Sequence, residues 1–134
     1  MGSVSCVAAS ESRRAYDPGV QEPQVIDLER LRFSPTAWLF EGVKFGGIQA
    51  TSFIVATPPG RGVGLHVHPY PEVFIVLKGE ATFRIGHQTI EGHANQILIA
   101  PAQTPHGFTN TGTEPLSIVS IHASDHLVQE FLED

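Results

Sequence analysis

Short runs of apolar and β-branched residues, separated by glycine and proline, recur along most of the chain. Runs of this kind cover residues 37–44, 49–57, 64–68, 73–77, 81–85, 88–91, 96–100, 107–110 and 116–122. Runs of this length and composition, bounded by turn residues, are typical of β-strands. Because no helix-length pattern lies between them, the spacing predicts an all-β sandwich or barrel rather than βαβ units.

The two ends of the chain differ from this pattern. Residues 1–23 are small, polar and unperiodic, which predicts a flexible N-terminal arm. Residues 24–134 are then expected to form a single domain, since a chain of 134 residues leaves little room for a second one. At the other end, Ser124 is predicted to cap a short C-terminal helix over residues 125–132.

Composition narrows the classes of partner. The net charge is −6 and Lys and Arg are not clustered, which argues against nucleic acid as the main partner. No apolar run is long enough for a membrane span, and the first ten residues lack the basic start of a secretory signal. Cys6 is the single cysteine, so no intrachain disulfide forms and a stray thiol is the expectation. We expect a cytoplasmic protein that binds neither nucleic acid nor membrane.

A histidine pair and a glutamate carry the first chemical signal. His66 and His68 are two residues apart, so on a strand both point to the same side. Pro69 and Pro71 stiffen the turn that follows, and Glu72 then begins an apolar strand. An unpaired carboxylate there is costly to bury. A metal ion bound by all three side chains would satisfy it.

His106, downstream of Pro101, offers a fourth ligand. Imidazoles and a carboxylate suit Fe, Mn, Ni, Co or Zn, so we expect one divalent transition metal as the cofactor. Four protein ligands in octahedral coordination would leave two positions open, as in catalytic metal sites. The alternative is a histidine pair exposed on a polar strand with no metal. The combination of the pair with Glu72 and His106 favours the metal.

Several other side chains are weighed beside these four. Phe53, Phe74, Val76 and Phe108 are expected to form an apolar wall that belongs to the barrel core and also shapes a substrate pocket. Tyr70 is either a proton donor at the mouth of that pocket or a surface tyrosine.

The remaining histidines receive weaker predictions. His87 and His93 are expected to be solvated, because each lies in or beside a turn. His122 is either close to the site or a histidine at the edge of the core.

The chain resembles the cupin superfamily of small β-barrels. The first cupin motif is Gly, five residues, His-x-His, three or four residues, Glu, six residues and Gly. Every spacing of this motif is met between Gly60 and Gly79. In the second motif Pro101, His106 and Asn110 fall in place, whereas Asn95 and Gln103 stand where the motif has glycine. Gln103 departs most and puts the local loop shape in question.

The resemblance implies a double-stranded β-helix, or jelly-roll barrel, over about residues 37–124. It implies that His66, His68, Glu72 and His106 point into the barrel as metal ligands. It also implies a homodimer that pairs through strands of the N-terminal sheet.

Two classes of function follow from this site. The first is a metalloenzyme that acts on a small organic molecule, with oxygenase chemistry if the metal is iron. Isomerase, cyclase, lyase or decarboxylase chemistry is open with another metal. The second class is a metal-containing module that binds a small molecule without turnover. The fold alone does not choose between them.

Overall fold

The structure, a computed structural model, describes residues 22–132 and, separately, residue 15. Most of the arm predicted for residues 1–23 therefore lies outside the described residues. The described chain forms eleven strands. They are β1 (Arg32–Ser34), β2 (Ala37–Glu41), β3 (Thr51–Thr57), β4 (Gly62–Val67), β5 (Glu72–Lys78), β6 (Glu80–Ile85), β7 (Gln88–His93), β8 (Gln96–Ala100), β9 (His106–Thr109), β10 (Leu116–His122) and β11 (Glu130–Phe131).

Two short 3₁₀ turns accompany these strands, at Leu28–Leu31 and Gly42–Phe45. The second turn replaces the end of the predicted strand 37–44, so β2 stops at Glu41. Within the described residues, no helix is long and apolar enough to cross a membrane.

The strands form two antiparallel sheets that face each other. The first sheet has the order β1-β2-β3-β10-β5-β8, and the second has the order β11-β4-β9-β6-β7. Strands that are distant in sequence lie side by side in both sheets, as in β3-β10-β5. This arrangement is the predicted double-stranded β-helix, or jelly roll.

Strand pairing arranges the inward side chains in layers, because alternate residues of a strand share one face. Across β3, β10 and β5 the first layer is Thr51, His122 and Glu72. The second layer is Phe53, Ser120 and Phe74, and the third is Val55, Ile118 and Val76. Polar side chains thus gather at one end of the barrel, and the apolar core fills the space beyond them.

The predicted short C-terminal helix is wrong for the described residues, which end at Leu132. Residues 123–126 are bends, and β11 pairs with Val67 and His66 of β4. Backbone N–H groups in this segment bond to side chains of the barrel instead of to a preceding helical turn. The N–H of Leu127 donates to Glu41 Oε2 at 2.9 Å, and that of Val128 to the Tyr70 hydroxyl at 3.1 Å. Tertiary contacts therefore override the local helical pattern.

The two departures from the glycine positions keep the backbone shape that glycine would provide. Asn95 has a φ of 72° and Gln103 a φ of 61°, both in the left-handed region. The N–H of Gln103 donates to the His68 carbonyl oxygen at 3.0 Å. The loop before β9 is therefore tied to the segment that carries His68, although its residue is not glycine.

Replacing Gln103 with glycine should stabilise the protein. The left-handed conformation costs a residue with a Cβ roughly 1–2 kcal/mol, and the exposed Gln103 side chain gains nothing visible in return. We expect Gln103→Gly to raise the free energy of unfolding by about 1 kcal/mol in urea titrations. Gln88→Gly, at an exposed position of β7 with ordinary backbone, should lower it. A loss of stability in the Gln103 variant would contradict this explanation.

Candidate metal centre

Four buried side chains converge at the polar end of the barrel. One ligand atom from each of His66, His68, Glu72 and His106 lies within 4.8 Å of the other three. His66 is on β4, His68 follows the end of β4, Glu72 begins β5 and His106 begins β9. The site therefore joins strands from both sheets, and its geometry depends on the closure of the barrel.

Pairing between β4 and β9 sets two of the histidines side by side. His66 and His106 are direct partners in the antiparallel register, and their ring centroids are 4.4 Å apart. The two strands approach so closely that a Cβ at Gly62 would collide with the Phe108 carbonyl. Glycine at this point permits the pairing that brings the two imidazoles together.

Each of these three imidazoles has one nitrogen bonded to a backbone carbonyl. The Nδ1–H of His66 donates to Gly64 O at 2.9 Å, that of His68 to Tyr70 O at 2.7 Å, and that of His106 to Thr104 O at 2.8 Å. A carbonyl oxygen only accepts, so in the neutral ring the proton lies on Nδ1 and Nε2 keeps its lone pair.

The three Nε2 lone pairs meet a carboxylate oxygen. Glu72 Oε1 is 2.9 Å from His68 Nε2, 2.9 Å from His106 Nε2 and 3.9 Å from His66 Nε2. Metal bonds of about 2.0–2.2 Å at right angles place neighbouring donor atoms about 3 Å apart. The distances from Glu72 to His68 and His106 match this spacing, and the distance to His66 is longer. The four side chains thus offer four electron-pair donors around one point, a set that suits a divalent transition metal.

The surrounding histidines also affect the pKa of Glu72. Burial raises the pKa of this carboxyl, but contacts with His106, His122, His66 and His68 lower it, and the net pKa lies well below its usual range. Glu72 is 3% exposed, so solvent contributes little to its anion. Because His66, His68 and His106 carry their protons on Nδ1, a bound cation would be the main partner of this charge. The residue is therefore available as an anionic ligand.

A fourth histidine, His122 on β10, contacts the other oxygen of Glu72. His122 Nε2 is 3.1 Å from Glu72 Oε2, and His122 Nδ1 is 2.9 Å from the Tyr70 hydroxyl. Burial, followed by the charge of Glu72, raises the pKa of Tyr70, although the N–H of Val128 lowers it. The hydroxyl keeps its proton and can donate it to Nδ1, which leaves the His122 proton on Nε2, facing the carboxylate. His122 is thus arranged as a donor to Glu72.

A cavity of about 760 Å³ leads to this centre and is lined mainly by apolar residues. His66, Glu72 and His122 lie at its polar end. Its apolar lining includes Phe53, Val55, Val63, Phe74, Phe108, Ile118 and Phe131. A small organic molecule could reach the four donors through this space.

Three of the five predicted pocket residues line the cavity, namely Phe53, Phe74 and Phe108. Val76 and Tyr70 do not. Val76 is in the third layer and packs in the closed core, whereas Val55 and Ile118 of the same layer face the cavity. Tyr70 stacks on His68 with ring centroids 4.3 Å apart. It is buried behind the ligands rather than at the surface.

The other polar side chains considered lie outside the cluster of four. His87 and His93 are exposed, in the turn before β7 and at its end. Of the basic side chains, Lys44 pairs with Glu41 at 3.0 Å, whereas Arg61 lines the cavity.

Sequence reasoning left the role of His122 open and did not single out Ser120. The signal was the alternation of β10, where Leu116, Ile118, Ser120 and His122 all point inward. Only the register with β5 shows that His122 lies opposite Glu72. That register depends on contacts far apart in sequence, which the local pattern does not contain.

Comparison with known proteins assigns the family. The family model of the Cupin domain matches residues 53–122, more than half of the chain. This segment contains the four converging side chains as well as Tyr70 and His122. The chain belongs to the cupin family.

Individual relatives are more distant. Mannose-1-phosphate guanylyltransferase 2 of Escherichia coli O157:H7 is 29% identical over 77 residues, which are 57% of this chain and 16% of that protein. The chain thus spans a small part of that relative.

Solved structures share the fold. A conserved protein of Klebsiella pneumoniae with a double-stranded β-helix domain has a TM-score of 0.66 at 23% identity, over 84% of this chain and all of that one. Oxalate decarboxylase from Bacillus subtilis has a TM-score of 0.69 at 23% identity, over 78% of this chain and 30% of that one.

The four ligands can be tested by removing two of them. We expect His66→Ala combined with His106→Ala to abolish metal retention while the barrel stays folded, because the apolar core lies in other layers. Metal content after dialysis and far-UV circular dichroism measure the two effects. His87→Ala with His93→Ala removes two exposed histidines and should keep the metal. A full equivalent of metal in the first variant would refute the ligand assignment.

Proposed function

We propose that this cupin is a metal-dependent enzyme that acts on a small organic molecule. The observation that carries the proposal is the convergence of three Nε2 lone pairs and the Glu72 carboxylate at the inner end of a largely apolar cavity. Four ligands leave coordination positions open for a substrate, which distinguishes such a site from a closed structural one. Strained or solvated surface histidines would not explain a centre buried at this depth.

The chain's own residues would bind and shield the substrate. Phe53, Phe74 and Phe108 present apolar surface beside the ligands, which favours a flat apolar body and excludes water. His122 contacts Glu72 and the Tyr70 hydroxyl contacts His122, so the two would help to position the carboxylate. A divalent ion bound by the four ligands would polarise an oxygen of the substrate as a Lewis acid, and iron would add oxygenase chemistry.

Two alternative functions are compatible with the same site. Isomerase, cyclase, lyase or decarboxylase chemistry needs no oxygen and suits Mn, Ni, Co or Zn. Oxalate decarboxylase, a neighbour in fold, is a reason to include small dicarboxylic acids among the substrates tested. A binding module without turnover would use the same cavity and metal but release its ligand unchanged.

Metal analysis and an assay of oxygen uptake test the function. The purified protein should contain about one divalent transition metal per chain, and reloading with Fe, Mn, Ni, Co or Zn should restore turnover with one of them. Substrates are screened from diketones, phenols and small acids, with oxygen consumption and product formation followed together. Oxygen uptake with iron alone would identify the oxygenase.

The control is the double variant His66→Ala with His106→Ala, which should be inactive with every metal. Product formed without oxygen uptake would select the non-redox reactions. Stoichiometric ligand binding without product under all these conditions would favour the binding module and contradict the enzyme.

We further propose that the chain forms a homodimer through the outer face of the six-stranded sheet. On this face Ile97 is 62% exposed, Ile99 is 60% exposed and Leu77 is 56% exposed. Ile97 and Ile99 pair with Ile75 and Val73 of the neighbouring strand, so the apolar surface is continuous. Antiparallel sheets ordinarily present polar residues to water, and an apolar patch of this kind marks an interface.

Placing charges on this face should separate the protomers. Ile97→Lys with Ile99→Lys is expected to convert the dimer to a monomer, because two ammonium groups would have to lose their water at the interface. Light scattering after gel filtration gives the mass of each form. Thr89→Lys, on the exposed part of β7 in the other sheet, is the matched control and should stay dimeric. A monomeric wild type would overturn this proposal.

A further inference from the structure

Three buried side-chain atoms in the described part of the chain lack a hydrogen-bonding partner, and they differ in their surroundings. They are Thr51 Oγ1, Ser120 Oγ and His122 Nε2. Ser120 and His122 line the cavity that reaches the metal ligands. His122 Nε2 lies 3.1 Å from Glu72 Oε2, so a carboxylate oxygen is its neighbour. Ser120 Oγ has no such neighbour, although the residue is 2% exposed.

The position of Ser120 is unusual for a serine. In the register of the sheet it lies between Phe53 and Phe74, so an inward-facing hydroxyl separates two aromatic rings. Ser52 bonds to the backbone carbonyl of Ser120 and not to its hydroxyl. A buried hydroxyl without a partner is unfavourable, and an apolar residue of similar size would avoid that penalty. The fold itself therefore does not account for the hydroxyl.

The distance between Ser120 and the proposed metal ligands suits the length of a small ligand. Ser120 is two residues from His122 on the same strand, which places it about 7 Å further along the cavity than the layer containing Glu72. A ring of the size of benzene spans much of that distance. A ligand with one polar group at the metal ligands could therefore bring a second polar group to Ser120.

We propose that Ser120 is a specificity-determining residue that hydrogen-bonds the distal polar group of the substrate. The ligand class is a small flat apolar molecule with a metal-binding oxygen at one end and a hydroxyl or carbonyl on the far part of its body. Phe53 and Phe74 contact the faces or edges of the flat ligand. Ser120 hydrogen-bonds the hydroxyl or carbonyl at the far end of the ligand. This inference rests on the proposed function, because it uses the same cavity and centre.

Hydroxamates provide a probe that does not need the natural substrate. Benzohydroxamate, 3-hydroxybenzohydroxamate and 4-hydroxybenzohydroxamate share the metal-binding group and differ in a distal hydroxyl. They are titrated into cobalt-loaded protein, with the visible absorption of cobalt as the readout. We expect one of the hydroxylated compounds to bind wild type roughly three- to tenfold more tightly than benzohydroxamate, as for one neutral hydrogen bond.

Variants then assign that gain to Ser120. Ser120→Ala should abolish the preference for the hydroxylated compound, leave benzohydroxamate binding unchanged and keep one cobalt per chain. Ser117→Ala, on the outward face of the same strand, should retain the preference. The comparison of ligands in wild type alone also tests the proposal if a variant misfolds.

Two results would overturn the inference. The inference fails if the hydroxylated compounds bind wild type no more tightly than benzohydroxamate does. It also fails if the preference for a hydroxylated compound survives Ser120→Ala. If cobalt binds but no hydroxamate does, the centre has no open position and the proposed function fails together with this inference. If benzohydroxamate binds without any preference among the analogues, the role of Ser120 fails while the proposed function stands.

Discussion

The hydrogen bonds from three histidine Nδ1 atoms to backbone carbonyls are the constraint on which the site depends. Each bond fixes the orientation of an imidazole and leaves the lone pair of its Nε2 free. Together with Glu72, these imidazoles place four electron-pair donors around one point. None of the three Nε2 atoms carries a proton that would fill that point. His122 differs because its Nδ1 meets a hydroxyl, which can donate. Three of the four imidazoles thus offer a lone pair to the centre, whereas the fourth faces Glu72 with its proton.

The layered register of the barrel explains how this constraint is maintained. Glu72 lies opposite His122 across β5 and β10, while His66 lies opposite His106 across β4 and β9. The layers below are aromatic and aliphatic, and they hold the strands at the spacing that the polar layer needs. The C-terminal segment adds a further restraint, since the N–H of Val128 donates to Tyr70, whose hydroxyl contacts His122.

Local patterns were sufficient for most of the strands, because alternation and turn residues act over a few positions. β8 and β10 begin and end where the sequence predicts. The segment after Ser124 was mispredicted as a helix because its backbone N–H groups bond to Glu41 and Tyr70, which are distant in sequence. The four proposed ligands could be identified from their spacing. The places of His122 and Ser120 could not, because they depend on the pairing of β10 with β5, and Tyr70 is buried by stacking on His68.

Anomalous diffraction from crystals of the metal-loaded protein tests the convergence of these four side chains most directly. The account predicts one strong peak at the absorption edge of the bound metal, about 2.0–2.3 Å from the Nε2 atoms of His66, His68 and His106 and from a carboxylate oxygen of Glu72. It also predicts that each Nδ1 still contacts its carbonyl. A peak bound through an Nδ1 atom, or a peak elsewhere on the chain with these four side chains left uncoordinated, would contradict it.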